Sequence, residues 1–328
     1  MRRLTVDPGS PDPAVIAEAA AVLRAGGLVA FPTETVYGLG ADALDPAAVR
    51  RIYEAKGRPA FNPVIVHVAS AEQARRLTRH WPEAATRLAN HFWPGPLTLV
   101  LPRDARVPDI VTAGLDAVGV RVPAHPVALA LIRAADVPVA APSANRFTQL
   151  SPTTADHVAA ALGERVDILL DGGSARVGIE STVVDLTDEP RLLRPGMISA
   201  AAIEALIGPL RRDTAEPTGT APRLSPGQVE RHYAPRAPLE LASRGQMEAL
   251  RPATDVGGRP GMVTCSDLAV PAGWECVRLP PDADGYARGL YAALHQLDDA
   301  GCTRIVVELP PADPAWNAVH DRLRRAAH

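Results

Sequence analysis

The sequence predicts a two-domain α/β protein, in which a twisted mixed sheet flanked by helices precedes a smaller α/β domain of Rossmann-like type. Helix and strand signals alternate over the first two hundred residues, which is typical of a sheet covered by helices. Prolines and glycines interrupt this pattern over 211–238, and a shorter alternation follows over 239–328. A length of 328 residues suits two domains of about 100–200 residues each. We therefore expect a first domain over 1–210, a Pro/Gly-rich linker and a small second domain.

The ends of the first elements are clearly marked. Apolar residues over 15–23 have helical spacing, and Gly26-Gly27 ends that helix before a buried strand at 28–31. Asp45-Pro46 is an N-cap followed by proline, and it begins a helix that ends at Gly57. Closely spaced strands at 181–186 and 191–194 indicate that the sheet is mixed.

The remaining elements follow from the same periodicities. In the first domain we expect strands at 64–68, 97–101, 118–122, 137–141 and 167–171, and helices at 71–79, 82–92, 126–135, 153–162 and 199–207. In the second domain we expect strands at 261–264, 275–279 and 304–308, and helices at 284–299 and 314–326.

Composition excludes several classes of protein. Hydrophobic residues make up 47% and charged residues 22%, as in a globular protein with a large core. A net charge of −3 does not fit a basic nucleic-acid module, so any polyanion site must be a local pocket. The three cysteines are too widely spaced for a zinc site or a disulfide framework. With no signal-peptide pattern and no membrane-spanning run, we expect a cytoplasmic protein without membrane contact.

Among 34 basic residues, Lys56 is the only lysine. It stands beside Arg58 in the segment Lys56-Gly-Arg-Pro59, between a predicted helix end and a strand. A compact ammonium and a planar guanidinium together suit a triphosphate. A lysine at a helix C-terminus also complements the helix dipole, but arginine would do so equally well. Retention of this one lysine therefore favours a functional role.

Other polar residues lie at predicted strand ends, where α/β sheets bind ligands. Gly38, Gly40 and Ala43 match a dinucleotide fingerprint, but the next helix begins only at Asp45, so we disfavour that interpretation. Arg121 interrupts a run of β-branched residues and must either extend past a sheet edge or meet a buried carboxylate. The serines, threonines and arginines form no catalytic triad and no metal-ligand spacing. They favour binding and orienting a phosphorylated substrate over a covalent intermediate.

Seven segments of the first domain carry distinctive motifs. They are Pro32-Thr-Glu-Thr-Val-Tyr-Gly-Leu-Gly-Ala41, Lys56-Gly-Arg-Pro59, Trp93-Pro-Gly-Pro-Leu-Thr98, Arg121-Val-Pro123, Pro142-Ser-Ala-Asn145, Gly178-Ile-Glu-Ser-Thr182 and Arg194-Pro-Gly196. The linker adds Ser225-Pro-Gly227 and Arg231-His-Tyr-Ala-Pro235. In this order the seven segments resemble the YrdC-like domain of threonylcarbamoyl-AMP synthases, and the linker and second domain resemble the long form of that family.

The resemblance implies an enzyme, a nucleotidyltransferase. It would make L-threonylcarbamoyl-adenylate from L-threonine, bicarbonate or CO2, and ATP with Mg2+, and release pyrophosphate. A downstream transferase complex would then modify a tRNA adenosine; direct, weak contact of this chain with tRNA is left open. The threonine-binding residues would be Thr35, His67, Arg121 and Ser181. The ATP-binding residues would be Lys56, Arg58, Asn62, Ser143, Ser151, Arg194 and Tyr233, with Lys56 and Arg58 as the catalytic pair.

Two departures and two alternatives accompany this hypothesis. The family often has threonine where this chain has Ala117, which lacks the hydroxyl for one contact to the nucleotide, and it often has glycine where this chain has Thr148. A carbamoyltransferase of the hydrogenase-maturation type is one alternative, but this sequence lacks the acylphosphatase segment and the Cys-rich zinc motifs of those proteins. A double-stranded RNA-binding protein is the other, and the net charge argues against it. We also expect the linker to close over the site through His232 and Tyr233.

Overall fold

The computed structural model describes residues 1–211, 232–255 and 258–327. These residues form two compact units. The first comprises Met1–Phe147, Pro152–Arg176 and the chain from Glu180 to the end of the first described range. The second comprises Thr148–Ser151, Val177–Ile179 and the chain from residue 232 onwards. Most of the expected linker lies outside the described residues, so the three-part division at 210 and 238 stays a prediction.

The first unit is built on a mixed sheet, as expected. Its described strands have the order β1-β8-β2-β3-β7-β4-β6-β5-β9-β10. For example, β4 runs parallel to β6, whereas β3 runs antiparallel to β2 and β7. The strands are β1 Arg2–Thr5, β2 Val29–Pro32, β3 Tyr37–Asp42, β4 Val66–His67, β5 Leu97–Pro102, β6 Ala117–Arg121, β7 Val139–Ala140, β8 Ile168–Asp171, β9 Thr182–Asp185 and β10 Arg191–Arg194.

Helices cover both faces of this sheet. Alternate residues of the second strand enter different apolar clusters, with Ala30 on one face and Phe31 on the other. The Asp45 side chain accepts a hydrogen bond from the amide of Ala47, and Gly57 ends the same helix with φ of 62°. The helices are α1 Pro13–Arg24, α2 Pro46–Lys56, α3 Ala71–Arg75, α4 Glu83–Phe92, α5 Asp109–Thr112, α6 Pro126–Ala135, α7 Ala155–Leu162 and α8 Ala200–Ile207.

Several details of the first unit differ from the sequence expectations. Strands β1 and β3 and helix α5 were not expected. Strands β4 and β7 cover two residues each rather than 64–68 and 137–141, and helix α3 ends at Arg75 rather than at residue 79. Strand β3 contains Gly38 and Gly40, so the match to a dinucleotide fingerprint falls within a strand rather than at the start of a helix. A Cβ added at Gly40 would lie 2.7 Å from Phe31 Cε1, which gives this glycine a packing role.

The second unit is a smaller α/β layer, and its Rossmann-like character is confirmed. Its described strands are all parallel, in the order β11-β14-β12-β13. The strands are β11 Leu239–Ala242, β12 Pro260–Thr264, β13 Glu275–Arg278 and β14 Arg304–Glu308, and the helices are α9 Arg244–Glu248, α10 Ala283–Asp299 and α11 Asn317–Ala326. Strand β11 and helix α9 were not expected. Over the three described ranges, no helix has the length and apolar character required to cross a bilayer.

Candidate active site

The turn between β2 and β3 places polar side chains at the end of the buried strand. The Thr33 hydroxyl donates to the Val36 carbonyl at 2.6 Å and accepts from the amides of Thr35 and Val36 at 3.2 Å. It also lies 2.8 Å from the Thr35 hydroxyl. A side chain that bonds its own turn in this way fixes the local backbone. Glu34 and Thr35 are therefore presented in a fixed arrangement, and both are buried.

Strand register brings His67 and Arg121 together. The two residues pair directly between the parallel strands β4 and β6. The Arg121 guanidinium donates to Thr35 Oγ1 at 3.0 Å and to the Gly95 carbonyl at 3.2 Å. Its Nη2 lies 2.6 Å from Glu34 Oε1. Of the two alternatives for Arg121, a sheet edge or a buried carboxylate, the structure shows the second, and the carboxylate is that of Glu34.

His67 is a neutral, buried histidine. Desolvation, followed by the positive charge of Arg121, lowers the pKa of His67 to about 3. Its ring contacts Phe31 edge-on, with 6.5 Å between centroids. Its Nδ1 has no hydrogen-bond partner among the described residues. Packing on an aromatic ring fits a core histidine, but a buried ring nitrogen without a partner is suited to a ligand.

Ser181 lies immediately before β9, belongs to the expected threonine-binding residues and contacts one of the expected ATP-binding residues. Its hydroxyl is 2.8 Å from Thr98 Oγ1. Arg194 donates from Nη2 to the Ser181 hydroxyl at 3.1 Å and from Nε to the Ser181 carbonyl at 3.0 Å. Arg194 was expected to contact ATP and Ser181 to contact threonine. The structure brings these two residues into direct contact.

Lys56 ends α2 and is almost completely buried, with 2% of its surface exposed. Its ammonium donates to the Ser143 carbonyl at 2.6 Å and also to the Asn145 carbonyl. The Asn145 side-chain oxygen lies 3.5 Å away. Lys56 therefore holds the Pro142–Asn145 segment, which includes Ser143, another residue expected to bind ATP.

The surroundings of Lys56 disfavour its charged form, which a nearby negative charge would stabilise. Desolvation, with a further contribution from Arg58, moves the pKa of Lys56 well below its ordinary value, and the charge of Glu180 opposes this shift. A phosphate placed nearby would stabilise the charged ammonium. The sequence alone assigned no role to Glu180 or to Asn145. The one sequence signal for them is that they lie inside the motifs Gly178–Thr182 and Pro142–Asn145.

Arg58 and Asn62 form the next part of the expected ATP site. Arg58 donates from Nε to the Asn62 carbonyl at 3.0 Å and from Nη2 to the Pro63 carbonyl at 2.6 Å. These bonds fold the loop after α2 back on itself. Asn62 is 1% exposed, and both its side-chain polar atoms lack partners among the described residues. A buried amide without partners is costly unless a ligand satisfies it.

Ser151 and Tyr233 belong to the second unit. The carbonyl of Ser151 lies 3.2 Å from His295 Nε2. Tyr233 has a φ of 61°, which non-glycine residues seldom adopt, and its ring lies 5.3 Å from the guanidinium carbon of Arg322. Tyr291 packs on the same ring with 5.9 Å between centroids. Their expected nucleotide contacts stay predictions.

The described residues contain no group of three or more His, Cys, Asp or Glu side chains that could hold a metal ion. What the first unit offers is a buried array of hydroxyls, guanidinium groups and one ammonium. Such an array can bind carboxylate and phosphate groups and orient them.

Comparison with known proteins agrees with this architecture. A family model described as "Telomere recombination", which groups Sua5, YciO and YrdC proteins, matches residues 21–196. A second, described as "Threonylcarbamoyl-AMP synthase, C-terminal domain", matches residues 198–328. These two matches account for nearly all of the chain and divide it at about residue 197.

Curated relatives and a solved structure extend the match. The threonylcarbamoyl-AMP synthase of Pyrococcus abyssi is 45% identical over 94% of this chain and 93% of its own length. That of Bacillus subtilis is 45% identical over 95% and 92%. The crystal structure of P. abyssi Sua5 complexed with L-threonine matches with a TM-score of 0.93 and 43% identity, over 100% of this chain and 98% of that one. The chain therefore belongs to the threonylcarbamoyl-AMP synthase family, a family of enzymes.

Proposed function

We propose that this enzyme makes L-threonylcarbamoyl-adenylate from L-threonine, bicarbonate or CO2, and ATP, and that the product serves N6-threonylcarbamoyladenosine modification of tRNA. The observation that carries the proposal is the convergence of the residues matched to the family motifs. Arg121 donates to Thr35, and Arg194 donates to Ser181. Family membership favours this reaction over carbamoyl transfer for hydrogenase maturation and over double-stranded RNA binding.

The threonine site would be formed by Thr35, His67, Arg121 and Ser181. The Arg121 guanidinium can pair with the substrate carboxylate, and the hydroxyls of Thr35 and Ser181 can bond its polar groups. His67 stays neutral because of burial and the charge of Arg121, so it offers a ring nitrogen without adding a second positive charge. The relative crystallised with L-threonine supports this substrate for the present chain.

The nucleotide site would be formed by the other matched residues. Lys56, Arg58 and Arg194 supply positive charge for the phosphates of ATP, which we expect to bind as its Mg2+ complex. Asn62 and Ser143 supply a side-chain amide and a hydroxyl. We assign Lys56 a second task, because its bonds to the Ser143 and Asn145 carbonyls hold the segment that carries Ser143. Ser151 and Tyr233 are assigned to ATP by their match to the family motifs alone.

The chemistry needs positioning and charge neutralisation more than a protein nucleophile. The α-ammonium group of threonine first loses a proton to solvent. The neutral amine nitrogen then forms a bond to the carbon of CO2 as one C=O π bond opens, and a second proton leaves that nitrogen for solvent to give the carbamate. A carbamate oxygen then forms a bond to the α-phosphorus, while the bond from that phosphorus to the bridging oxygen breaks and pyrophosphate leaves with the electron pair. The mixed anhydride formed is sensitive to water, so a buried site protects it.

The test is pyrophosphate release from ATP by the full chain, with threonine and bicarbonate omitted in turn. We expect release only when both are present. Pyrophosphate release that does not depend on threonine would refute the assignment. A separate experiment tests whether the linker covers the site. If a chain without residues 211–328 forms the adenylate as fast as the full chain, the linker does not act as a cover.

A further inference from the structure

Glu34 is a buried carboxylate with an unusual shortage of partners. Its side chain is 8% exposed. Neither carboxylate oxygen accepts a hydrogen bond from any described residue. Taking a carboxylate out of water is costly unless it is paired and hydrogen-bonded. The fold therefore places the Glu34 carboxylate in the site without giving it hydrogen bonds from the described residues.

The positive group in contact with Glu34 is Arg121, whose Nη2 lies 2.6 Å from Glu34 Oε1. The contact lacks hydrogen-bond alignment, since that nitrogen has no hydrogen-bond partner among the described residues. The other guanidinium nitrogens of Arg121 already donate to Thr35 and Gly95. His125 also senses the charge of Glu34, but burial lowers the pKa of His125, which disfavours a second positive charge there.

The same guanidinium is the one we expect to bind the substrate carboxylate. A zwitterionic amino acid brings one negative and one positive group into this site. If its carboxylate takes Nη2 of Arg121, Glu34 loses its counter-charge, and the α-ammonium group of the substrate can restore it. An acid that lacks the amino group would instead leave Glu34 buried without a positive partner, which is strongly unfavourable.

We propose that Glu34 is the receptor for the α-ammonium group of L-threonine, and that on substrate binding it exchanges its contact with Arg121 for that group. The inference rests on the threonine site proposed above. It makes Glu34 a residue that determines specificity for amino acids over simple hydroxy acids. It also explains why a carboxylate stands between Thr33 and Thr35 although it accepts no hydrogen bond from the residues that the structure describes.

The experiment compares the binding of L-threonine and of 3-hydroxybutanoate, which is threonine without its α-amino group, by isothermal titration calorimetry. Wild-type chain should prefer threonine. Glu34→Gln should weaken threonine binding by about 30-fold or more and leave 3-hydroxybutanoate binding unchanged or tighter. Glu54→Gln makes the same change at an exposed position of α2 and should alter neither affinity.

The outcomes separate the two proposals. Wild-type chain that binds neither ligand overturns the proposed function and the inference with it. If wild type binds threonine but Glu34→Gln keeps the wild-type ratio of the two affinities, only the inference is overturned. Glu34→Asp guards against a folding failure of the glutamine variant. It retains the charge, so preference for threonine should persist at reduced affinity, and a loss of that preference would overturn the inference.

Discussion

Replacing Lys56 by arginine should impair both stability and activity, although the charge is kept. The ammonium lies in a site with 2% exposure and donates to the carbonyls of Ser143 and Asn145. A guanidinium is larger and planar, and it cannot place one nitrogen between two carbonyls in the same way. The variant must therefore shift the Pro142–Asn145 segment or leave a carbonyl without its bond.

The magnitude follows from these contacts. A hydrogen bond from a charged donor contributes about 1.5–3 kcal/mol, and overpacking a filled core costs about 1–3 kcal/mol. With one bond lost and one larger side chain inserted, Lys56→Arg should lower the free energy of unfolding by about 3–5 kcal/mol. Displacement of Ser143 by about 1 Å should lower kcat/KM for ATP by about 100-fold.

Urea unfolding and pyrophosphate release measure the two effects. The matched control is Arg50→Lys, the reverse exchange at an exposed position of the same helix, for which we expect no change in either quantity. If Lys56→Arg unfolds and turns over ATP like the wild type, the carbonyl contacts do not explain the lysine, and its retention among so many arginines was accidental.

Three further predictions concern single residues of the site. Because the pKa of His67 falls from 6.5 to about 3 on folding, stability should be lost as pH drops below 6.5. His67→Gln should therefore reduce the loss of unfolding free energy between pH 7 and pH 5 by about 2 kcal/mol, whereas the exposed His80→Gln should not. Asn62→Ala should leave urea stability unchanged or higher and raise KM for ATP by about tenfold, since the side-chain amide has no hydrogen-bond partner within the described part of the chain; a large loss of stability would contradict this. Ser181→Ala should raise KM for threonine by about tenfold, and an unchanged KM would remove Ser181 from the threonine site.

The sequence predicted the alternating elements well where local signals are strong. The Asp45 cap and Gly57 fix the ends of α2, and both are seen in the structure. Strand β3 was not expected because almost all of it is buried, so no alternation of polar and apolar residues marks it. Strands β4 and β7 were predicted over five residues each, but only two residues of each form a strand, because pairing with strands distant in sequence sets their length.

The candidate site was predictable in its membership but not in its internal contacts. Motif resemblance named Arg121, Lys56 and Arg194 from residue types alone. It could not show that Arg121 meets Glu34, because that ion pair joins a turn to a strand far along the chain. Likewise, the carbonyl partners of Lys56 are backbone atoms, whose position depends on the fold and leaves no trace in residue identity.

The burial of Lys56 gives the site an internal chemical reporter. Apart from the chain's amino terminus, its ammonium is the only primary amine that an acylating reagent could modify. Because it is enclosed and hydrogen-bonded to carbonyl oxygens, acylation requires the contact between α2 and the Pro142–Asn145 segment to open. The rate of modification at this one position, read by mass spectrometry, thus measures how often the expected nucleotide site opens, without any introduced label.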